Sequence, residues 1–493
     1  MSAVRDGARQ VMAWLHGWTG LLLGWVLFIM CVAGTLSIFK PEVGRWMRPE
    51  ASATADPHDA IVAATRWLAG HSRGSTGWYL SVPDARSNTV EASFDSDGTY
   101  MTRTLDPVSG APVARETLGG EFFYRLHFEL ELPYPWGRLL ASLAAATMLT
   151  AIVTGIIAHR RIFSDFFTFR PRKGQRSWLD GHNALGVLAL PFHVMITLTG
   201  LLTLASLNMP WGIVAAYGTN PAPLYEQMNP GIVTRSASGV IAPLAPIRPL
   251  LAEAQRRFEG GSIGRVNIAN PGDKAAVVTV FRADTGQIPA NSAQISFDGV
   301  TGHVLASWVE HRPALQAYGV AYGLHMARFA PIVLRWLYFL GGAMLTMAIA
   351  TGLILWIVKR RDRTPLARGN PLLERLNVGV IAGVPNGCAA YLIANRLLPV
   401  GITGRASLET TVAMDTAGAV LLTALLLPPR MAWPLLLGLL AASCALAALI
   451  GPFRTVDPVI LYGNLLLLGC AVGLIPLIRP LLTPVASRKR RAA

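Results

Sequence analysis

Long runs without charged residues dominate the chain, and polar segments separate them. The first run, residues 11–39, is long enough for a tilted membrane helix and too long for the apolar region of a cleavable signal. Similar runs follow at residues 139–158, 185–207, 336–358, 377–395, 410–427, 431–450 and 458–478. The pattern predicts an α-helical integral membrane protein with about eight transmembrane helices. Asp415 interrupts the sixth run and makes it the weakest signal.

The composition agrees with a membrane protein. Hydrophobic residues make up 52% of the 493 residues and charged residues only 14%, whereas soluble domains average about 25% charge. The net charge of +15 fits the excess of Lys and Arg that cytoplasmic loops carry. No segment combines a basic face with interleaved aromatic residues, so we expect the lipid bilayer as a partner and no nucleic acid.

Basic clusters predict the orientation of the spans. The segments 160–178 and 359–375 are short and rich in Arg and Lys, which places them in the cytoplasm. An even number of spans then puts both termini on the cytoplasmic side. The predicted order is a span at 11–39, an outside segment at 40–135, a span at 136–159, a loop at 160–178, a span at 179–207, an outside segment at 208–328, a span at 329–358, a loop at 359–375, four spans at 376–480 and a basic tail at 481–493.

The two outside segments have the same local pattern. In each of them a helical stretch, at 59–69 or 246–258, precedes a hairpin-like stretch, at 100–112 or 293–306. The turn sequences DPVSG and DGVTG favour tight reversals between strands. We therefore expect two small α+β domains.

The first four spans contain an internal repeat with parallel topology. Three matched pairs share an offset of 166 residues: His16 with His182, Gly20 with Gly186, and Gly34 with Gly200. A Leu-His pair also precedes the second and the fourth span, at His127 and at His325. Two such copies predict a substrate or cofactor site between them.

Six of the ten histidines lie in or beside the first four spans, and the last four spans contain none. These six are His16, His127, His159, His182, His193 and His325. One histidine at membrane depth could be a hydrogen-bonded packing residue, but six in one half of the chain favour ligands. Zinc would require tight local spacing with Cys, Asp or Glu, and a proton relay would require acidic residues. Facing histidines on separate helices instead suit bis-imidazole haem, one haem near each membrane surface.

The repeat suggests how these histidines pair. We predict His16 and His182 as ligands of a cytoplasmic haem, with His159 as the substitute for either. For an outer haem we predict His127 and His325, with His193 as the substitute. Arg125 and Arg328 lie beside the outer histidines, where they either reach the membrane interface or pair with haem propionates or an anionic substrate.

Several segments resemble the PepSY-associated transmembrane proteins, often called iron-regulated membrane proteins. The matching segments are WLHGWTG at 14–20, IFSDFFTFRP at 162–171, PFHVMIT at 191–197 and HMARF at 325–329. The resemblance implies a bacterial inner membrane and PepSY-like periplasmic domains in the two outside segments. It also implies haem b, and two haems agree with the two predicted sites.

Members of this family include ferric-siderophore reductases, so the resemblance implies electron transfer to Fe(III) in a periplasmic ferric-siderophore. No dinucleotide-binding fingerprint occurs in the chain, which leaves a quinol, a flavin or a separate reductase as the electron donor. Two alternatives remain. One is a permease for iron or a siderophore, and the other is a PepSY-type protein-binding or regulatory membrane protein without haem.

Overall fold

A computed structural model describes residues 2–96, 98–159, 170, 173–291, 293–363, 369–451 and 457–482. Most of the basic loop at 160–178 and of the basic tail lies outside these residues. The chain divides into two compact units. The helical unit comprises Met1–Pro49, Thr117–Leu201 and Val333–Ala493, and the sheet unit comprises Glu50–Glu116 and Leu202–Ile332.

The described residues form helices and seven strands. The helices are α1 Ser2–Leu22, α2 Gly24–Ser37, α3 Lys40–Met47, α4 Pro57–His71, α5 Glu121–Phe128, α6 Trp136–Ala158, α7 Gln175–Leu188, α8 Leu190–Thr203, α9 Ala205–Asn208, α10 Trp211–Tyr217, α11 Ala222–Met228, α12 Ile247–Arg257, α13 Pro313–Met326, α14 Ile332–Arg363, α15 Asn370–Leu397, α16 Arg405–Leu426, α17 Pro429–Ile450 and α18 Pro458–Leu482. The strands are β1 Gly77–Ser81, β2 Val90–Ser96, β3 Thr99–Leu105, β4 Ile263–Ala269, β5 Val277–Arg282, β6 Gln294–Asp298 and β7 Val304–Trp308.

The long apolar helices make the chain a multi-pass membrane protein. Six unbroken helices, α6 and α14 to α18, are long and apolar enough to cross a membrane. The pairs α1–α2 and α7–α8 meet the same criterion together, but they bend by 66° and 67°. If each bent pair crosses once, the described residues supply up to eight spans, in agreement with the sequence.

The two bends were not expected from the sequence, which predicts continuous spans. At Leu23 and Ala189 the backbone leaves the helical region, with φ, ψ of −114°, 4° and −107°, 19°. Gly24 follows the first bend, and a β-carbon there would lie 2.8 Å from Cδ2 of Leu353. The missing side chain therefore allows α2 to approach α14 closely.

The strands of both polar segments join one antiparallel sheet, and this corrects the expectation of two separate α+β domains. The strand order is β3-β2-β1-β4-β5-β6-β7. Strands β1 and β4 connect the segments, with Trp78 opposite Ile268 and Leu80 opposite Val266. Each segment alone would leave one of these strands as an unpaired edge, and their pairing removes both edges.

One hydrophobic core combines residues of strands β1 to β6 from both polar segments. Helices α4 and α12 contribute Leu68 and Leu251 to it, and the strands contribute side chains such as Trp78 and Phe297. Along β1 the buried Trp78 and Leu80 alternate with the exposed Tyr79, as the pleat of a strand requires. The helices predicted at 59–69 and 246–258 are confirmed as α4 and α12.

Both predicted turns form with the same hydrogen-bond pattern. Oδ1 of Asp106 accepts from the backbone N–H of Val108 and Ser109, at 3.1 and 2.8 Å. Oδ1 of Asp298 likewise accepts from the N–H groups two and three residues ahead, at 3.1 and 2.9 Å. Strands β6 and β7 make the hairpin expected at 293–306, whereas after β3 the chain returns through an isolated bridge between Leu105 and Pro112, and the described residues from there to α5 form no further strand.

Two helices, α3 and α5, lie within the segment 40–135 that the sequence predicts to be outside the membrane. Helices α3 and α5 belong to the helical unit, because Trp46, Phe122 and Phe123 are buried in a core shared with Tyr391 of α15. Lys40 and Glu121 carry charges and pair with each other. Because of such charges, the sequence assigns these helices to an outside segment.

Candidate functional site

His16 and His182 lie close together in the helical unit, with their rings in an edge-to-face arrangement. His16 is on α1 and His182 is on α7, and their ring centroids are 6.0 Å apart with an angle of 65° between the ring planes. Each histidine lies in the first half of a bent helix pair. The structure therefore brings together the two residues that the sequence pairs at the cytoplasmic site.

The two imidazoles have equivalent hydrogen-bond partners, one in each copy of the predicted repeat. Nδ1 of His16 lies 2.8 Å from the carbonyl oxygen of Ala151 on α6, and Nδ1 of His182 lies 2.9 Å from that of Ala348 on α14. A carbonyl oxygen only accepts, so each Nδ1 carries the proton and donates. Each Nε2 then keeps its lone pair for a metal ion.

A glycine supports each imidazole. A β-carbon at Gly155 would lie 3.1 Å from Cε1 of His16, and a β-carbon at Gly352 would lie 3.1 Å from Cε1 of His182. These contacts are tighter than ordinary van der Waals distances. The glycines therefore hold the rings against the backbones of α6 and α14 and leave little freedom of rotation.

The geometry of this pair fits bis-imidazole ligation. A metal–imidazole bond is about 2 Å long and the ring centre lies roughly 1 Å behind the nitrogen, so two opposed ligands have centroids about 6 Å apart. The observed 6.0 Å meets this requirement. Among the described residues, no group of three or more His, Cys, Asp or Glu side chains could hold a metal ion.

His159, the predicted substitute, has a different environment. Its Nε2 lies 2.8 Å from Nδ2 of Asn183, which can only donate. Nε2 is therefore already an acceptor for a side chain on α7, and the buried Nδ1 makes no hydrogen bond within the described residues. His159 ends α6 near His182, and a role as substitute stays a prediction.

His127 on α5 repeats the arrangement of the first pair. Its Nδ1 lies 2.7 Å from the carbonyl oxygen of Met30 on α2, so this nitrogen donates. A β-carbon at Gly34 would lie 2.6 Å from the same Nδ1. A backbone carbonyl and a facing glycine thus fix the orientation of a third imidazole.

His193 and His325 are the other outer candidates. His193 lies on α8 with only 2% of its surface exposed, and its Nε2 makes no hydrogen bond within the described residues. A buried imidazole nitrogen without a partner costs free energy, so a ligand for it is a reasonable expectation. His325 lies in the last turn of α13, in the sheet unit.

Both predicted anion partners already have carboxylates within their own units. Arg125 pairs with Glu129 at 3.3 Å and with Glu131 at 3.8 Å. Arg328 pairs with Asp284 at 3.4 Å. About half of each arginine side chain is exposed, 42% and 48%. These arginines are thus partly neutralised, and a contact with propionate or substrate stays a prediction.

Sequence reasoning missed a buried polar cluster in the last four spans. Arg405 and Glu409 form an ion pair with both side chains fully buried, at the start of α16. The sequence places the sixth span at 410–427 because charged residues normally lie outside the membrane. A spacing of four between opposite charges was the available signal, since such residues meet on a helix.

The fold and the histidine sites define a class: a multi-pass helical membrane protein whose polar segments build one sheet, with imidazoles paired inside its helices. The model of the PepSY-associated TM region matches residues 13–359, and the chain belongs to this family. It is also 30% identical over 380 residues to an uncharacterised protein of Pseudomonas aeruginosa, covering 72% of this chain and 91% of the relative.

Proposed function

We propose that the protein is a haem-containing reductase of the bacterial inner membrane that carries electrons to Fe(III) in periplasmic ferric-siderophores. The observation that carries the proposal is the His16–His182 pair, with centroids 6.0 Å apart and with both Nδ1 atoms bonded to backbone carbonyls. Structural packing alone would not require two neighbouring imidazoles to be held in the same way by a carbonyl and a glycine.

Two haem b groups would occupy the protein. His16 and His182 would hold one of them, with His159 as the substitute, and the ligands of the other stay those predicted from the sequence. When bound, haem supplies one-electron chemistry whose potential depends on its axial ligands and surroundings.

The chain's own contribution is to hold the proton and the orientation of each imidazole. The carbonyls of Ala151 and Ala348 keep the proton on Nδ1 of His16 and His182, and Gly155 and Gly352 restrict rotation. Such partners raise the basicity of the opposite nitrogen. A quinol, a flavin or a reductase is the expected electron donor on the cytoplasmic side.

The orientation belongs to the same proposal. Both termini would lie in the cytoplasm and the sheet unit in the periplasm, because the basic segments 160–178 and 359–375 favour the cytoplasmic side. Single cysteines introduced at exposed positions between residues 60 and 110 should react with an impermeant thiol reagent added from the periplasm. Labelling only from the cytoplasm would contradict this orientation.

A count of haem per polypeptide tests the function. The purified full chain should contain two haems by pyridine haemochrome, with the spectrum of low-spin bis-imidazole iron, and His182→Ala should contain one. His71→Ala is the matched control, because His71 is exposed at the end of α4 and should keep both haems. A folded wild-type protein without haem would refute the reductase and leave the permease or the protein-binding alternative.

A further inference from the structure

The appended helices contain a buried polar network with no assigned role. Arg405 and Glu409 pair at the start of α16. Glu409 also accepts from Nδ2 of Asn395 on α15 at 2.9 Å and from the hydroxyl of Thr117, which precedes α5. A buried ion pair is costly to desolvate and contributes little net stability. Its retention therefore calls for a reason other than stability.

The network ends on the segment that leads into α5. Nη2 of Arg48 donates to the carbonyl oxygen of Thr117 at 2.6 Å, and the hydroxyl of Tyr391 donates to that of Gly119 at 3.0 Å. The chain then passes so close to α3 that a β-carbon at Gly120 would lie 2.2 Å from the carbonyl oxygen of Lys40. The first residue of α5 is thus fixed from two sides.

Tyr391 also holds the first turn of α5 through its ring. The ring stacks on Phe122 with centroids 4.3 Å apart and meets Phe123 edge-on at 5.7 Å. All three side chains are buried almost completely. Because residues four apart lie on the same face of a helix, His127 follows Phe123 one turn further along this face.

We propose that Tyr391, supported by the Arg405–Glu409 pair, positions α5 and with it the imidazole of His127. The appended helices α15 and α16 act as a clamp on a helix that carries a predicted haem ligand. This inference rests on the proposed function for its haem readout. Its mechanical part, that Tyr391 restrains α5, is independent of haem.

Tyr391→Phe is the informative variant, because it keeps the stacked ring and removes only the hydroxyl bonded to Gly119. We expect faster hydrogen exchange of the amides at 121–128 and two retained haems. Of the two midpoint potentials, one should shift and the other should stay at its wild-type value. Tyr462→Phe is the control, since Tyr462 on α18 is 63% exposed, and it should change neither measurement.

The double variant R405M/E409M provides a second test, because apolar side chains of similar size avoid leaving a single buried charge. It should remain folded and show the same selective shift of one potential. Unchanged exchange at 121–128 in both variants would overturn the clamp. Faster exchange with two unchanged potentials would overturn its role in positioning His127. If the wild-type protein binds no haem, the proposed function fails, and the exchange measurement alone decides whether Tyr391 restrains α5.

Discussion

The two ends of the predicted repeat differ in how their histidines are held. At one end the copies match closely: His16 and His182 each donate to a backbone carbonyl, at 2.8 and 2.9 Å, and each contacts a glycine. At the other end the copies diverge. His127 lies on a helix of the helical unit, next to the appended spans, whereas His325 lies on a helix of the sheet unit. Equivalent sequence positions therefore have equivalent surroundings at only one end.

The difference lies in what supports each imidazole. His16 and His182 have nearly identical supports, whereas His127 and His325 have different ones. The first support is the Tyr391 clamp on α5. The second is the segment at 288–291, since Ala290 donates to the carbonyl oxygen of Gly319 at 3.0 Å and Asn291 donates to that of Leu315 at 2.9 Å.

The largest effect is expected from Gly323→Ala on α13. A β-carbon there would lie 1.7 Å from the carbonyl oxygen of Ile288, so α13 and the 288–291 segment must separate. Over-packing of this kind costs about 3 kcal/mol or more, and the thermal midpoint of the full chain in detergent should fall by several degrees. Gly212→Ala in the same unit is the control, because nothing lies within 4 Å of its β-carbon position. Equal midpoints for the two variants would show that α13 does not depend on this contact.

A more local effect is expected from Gly34→Ala. The new methyl group would lie 2.6 Å from Nδ1 of His127, and the imidazole must leave the carbonyl of Met30. We expect about one haem per chain to remain, with an unchanged spectrum for the His16–His182 site. Gly20→Ala, where nothing lies within 4 Å, should keep two haems. Two haems in both variants would remove His127 from the ligand set.

Sequence reasoning succeeded where the determinant is local. The charge-free runs predict the membrane helices, and the turn sequences at 106–110 and 298–302 predict the reversals. It failed where distant residues decide the outcome. The pairing of Trp78 with Ile268 joins segments almost two hundred residues apart, and no local pattern distinguishes one shared sheet from two separate ones.

The residues of the candidate site also divide into those that the sequence predicts and those that it does not. The offset of 166 residues relates His16 to His182, and the structure places their rings 6.0 Å apart, although their ligand role stays a prediction. The charges of Arg405 and Glu409 made the start of α16 look like a loop, because their partners Asn395 and Thr117 are known only from the fold. Burial of a charge depends on such partners and not on the residue itself.

Gly155→Ala and Gly352→Ala test the symmetry of the matched end of the predicted repeat, which is the end that holds His16 and His182. Each methyl group would press on Cε1 of the facing histidine at 3.1 Å, so the ring must move by a few tenths of an ångström. Both variants should keep two haems and shift the same midpoint potential in the same direction by similar amounts. A loss of haem in only one variant would show that the two copies are not equivalent even here.

The smallest effect is expected in the sheet unit, where the two matched turns differ in one ion pair. Nη1 of Arg235 donates to Oδ2 of Asp298 at 2.8 Å, and this guanidinium holds the pKa of Asp298 well below its usual range. A depressed pKa stabilises the fold above the unfolded value of about 3.9, and the contribution disappears as the pH falls through the folded pKa. Asp298→Asn should therefore cost about 1 kcal/mol at pH 7 and progressively less below about pH 4.

Hydrogen exchange of the amides at 294–308 in the full chain, corrected for intrinsic rates, measures the free-energy cost of Asp298→Asn at pH 7 and again below about pH 4. Asp106→Asn is the matched control, because an amide oxygen can still accept from Val108 and Ser109. It should change exchange in its own turn by less than Asp298→Asn does at 298–302. If the two substitutions cost the same at pH 7, the ion pair with Arg235 contributes nothing, and the turns of the two copies are as equivalent as the histidines at the matched end.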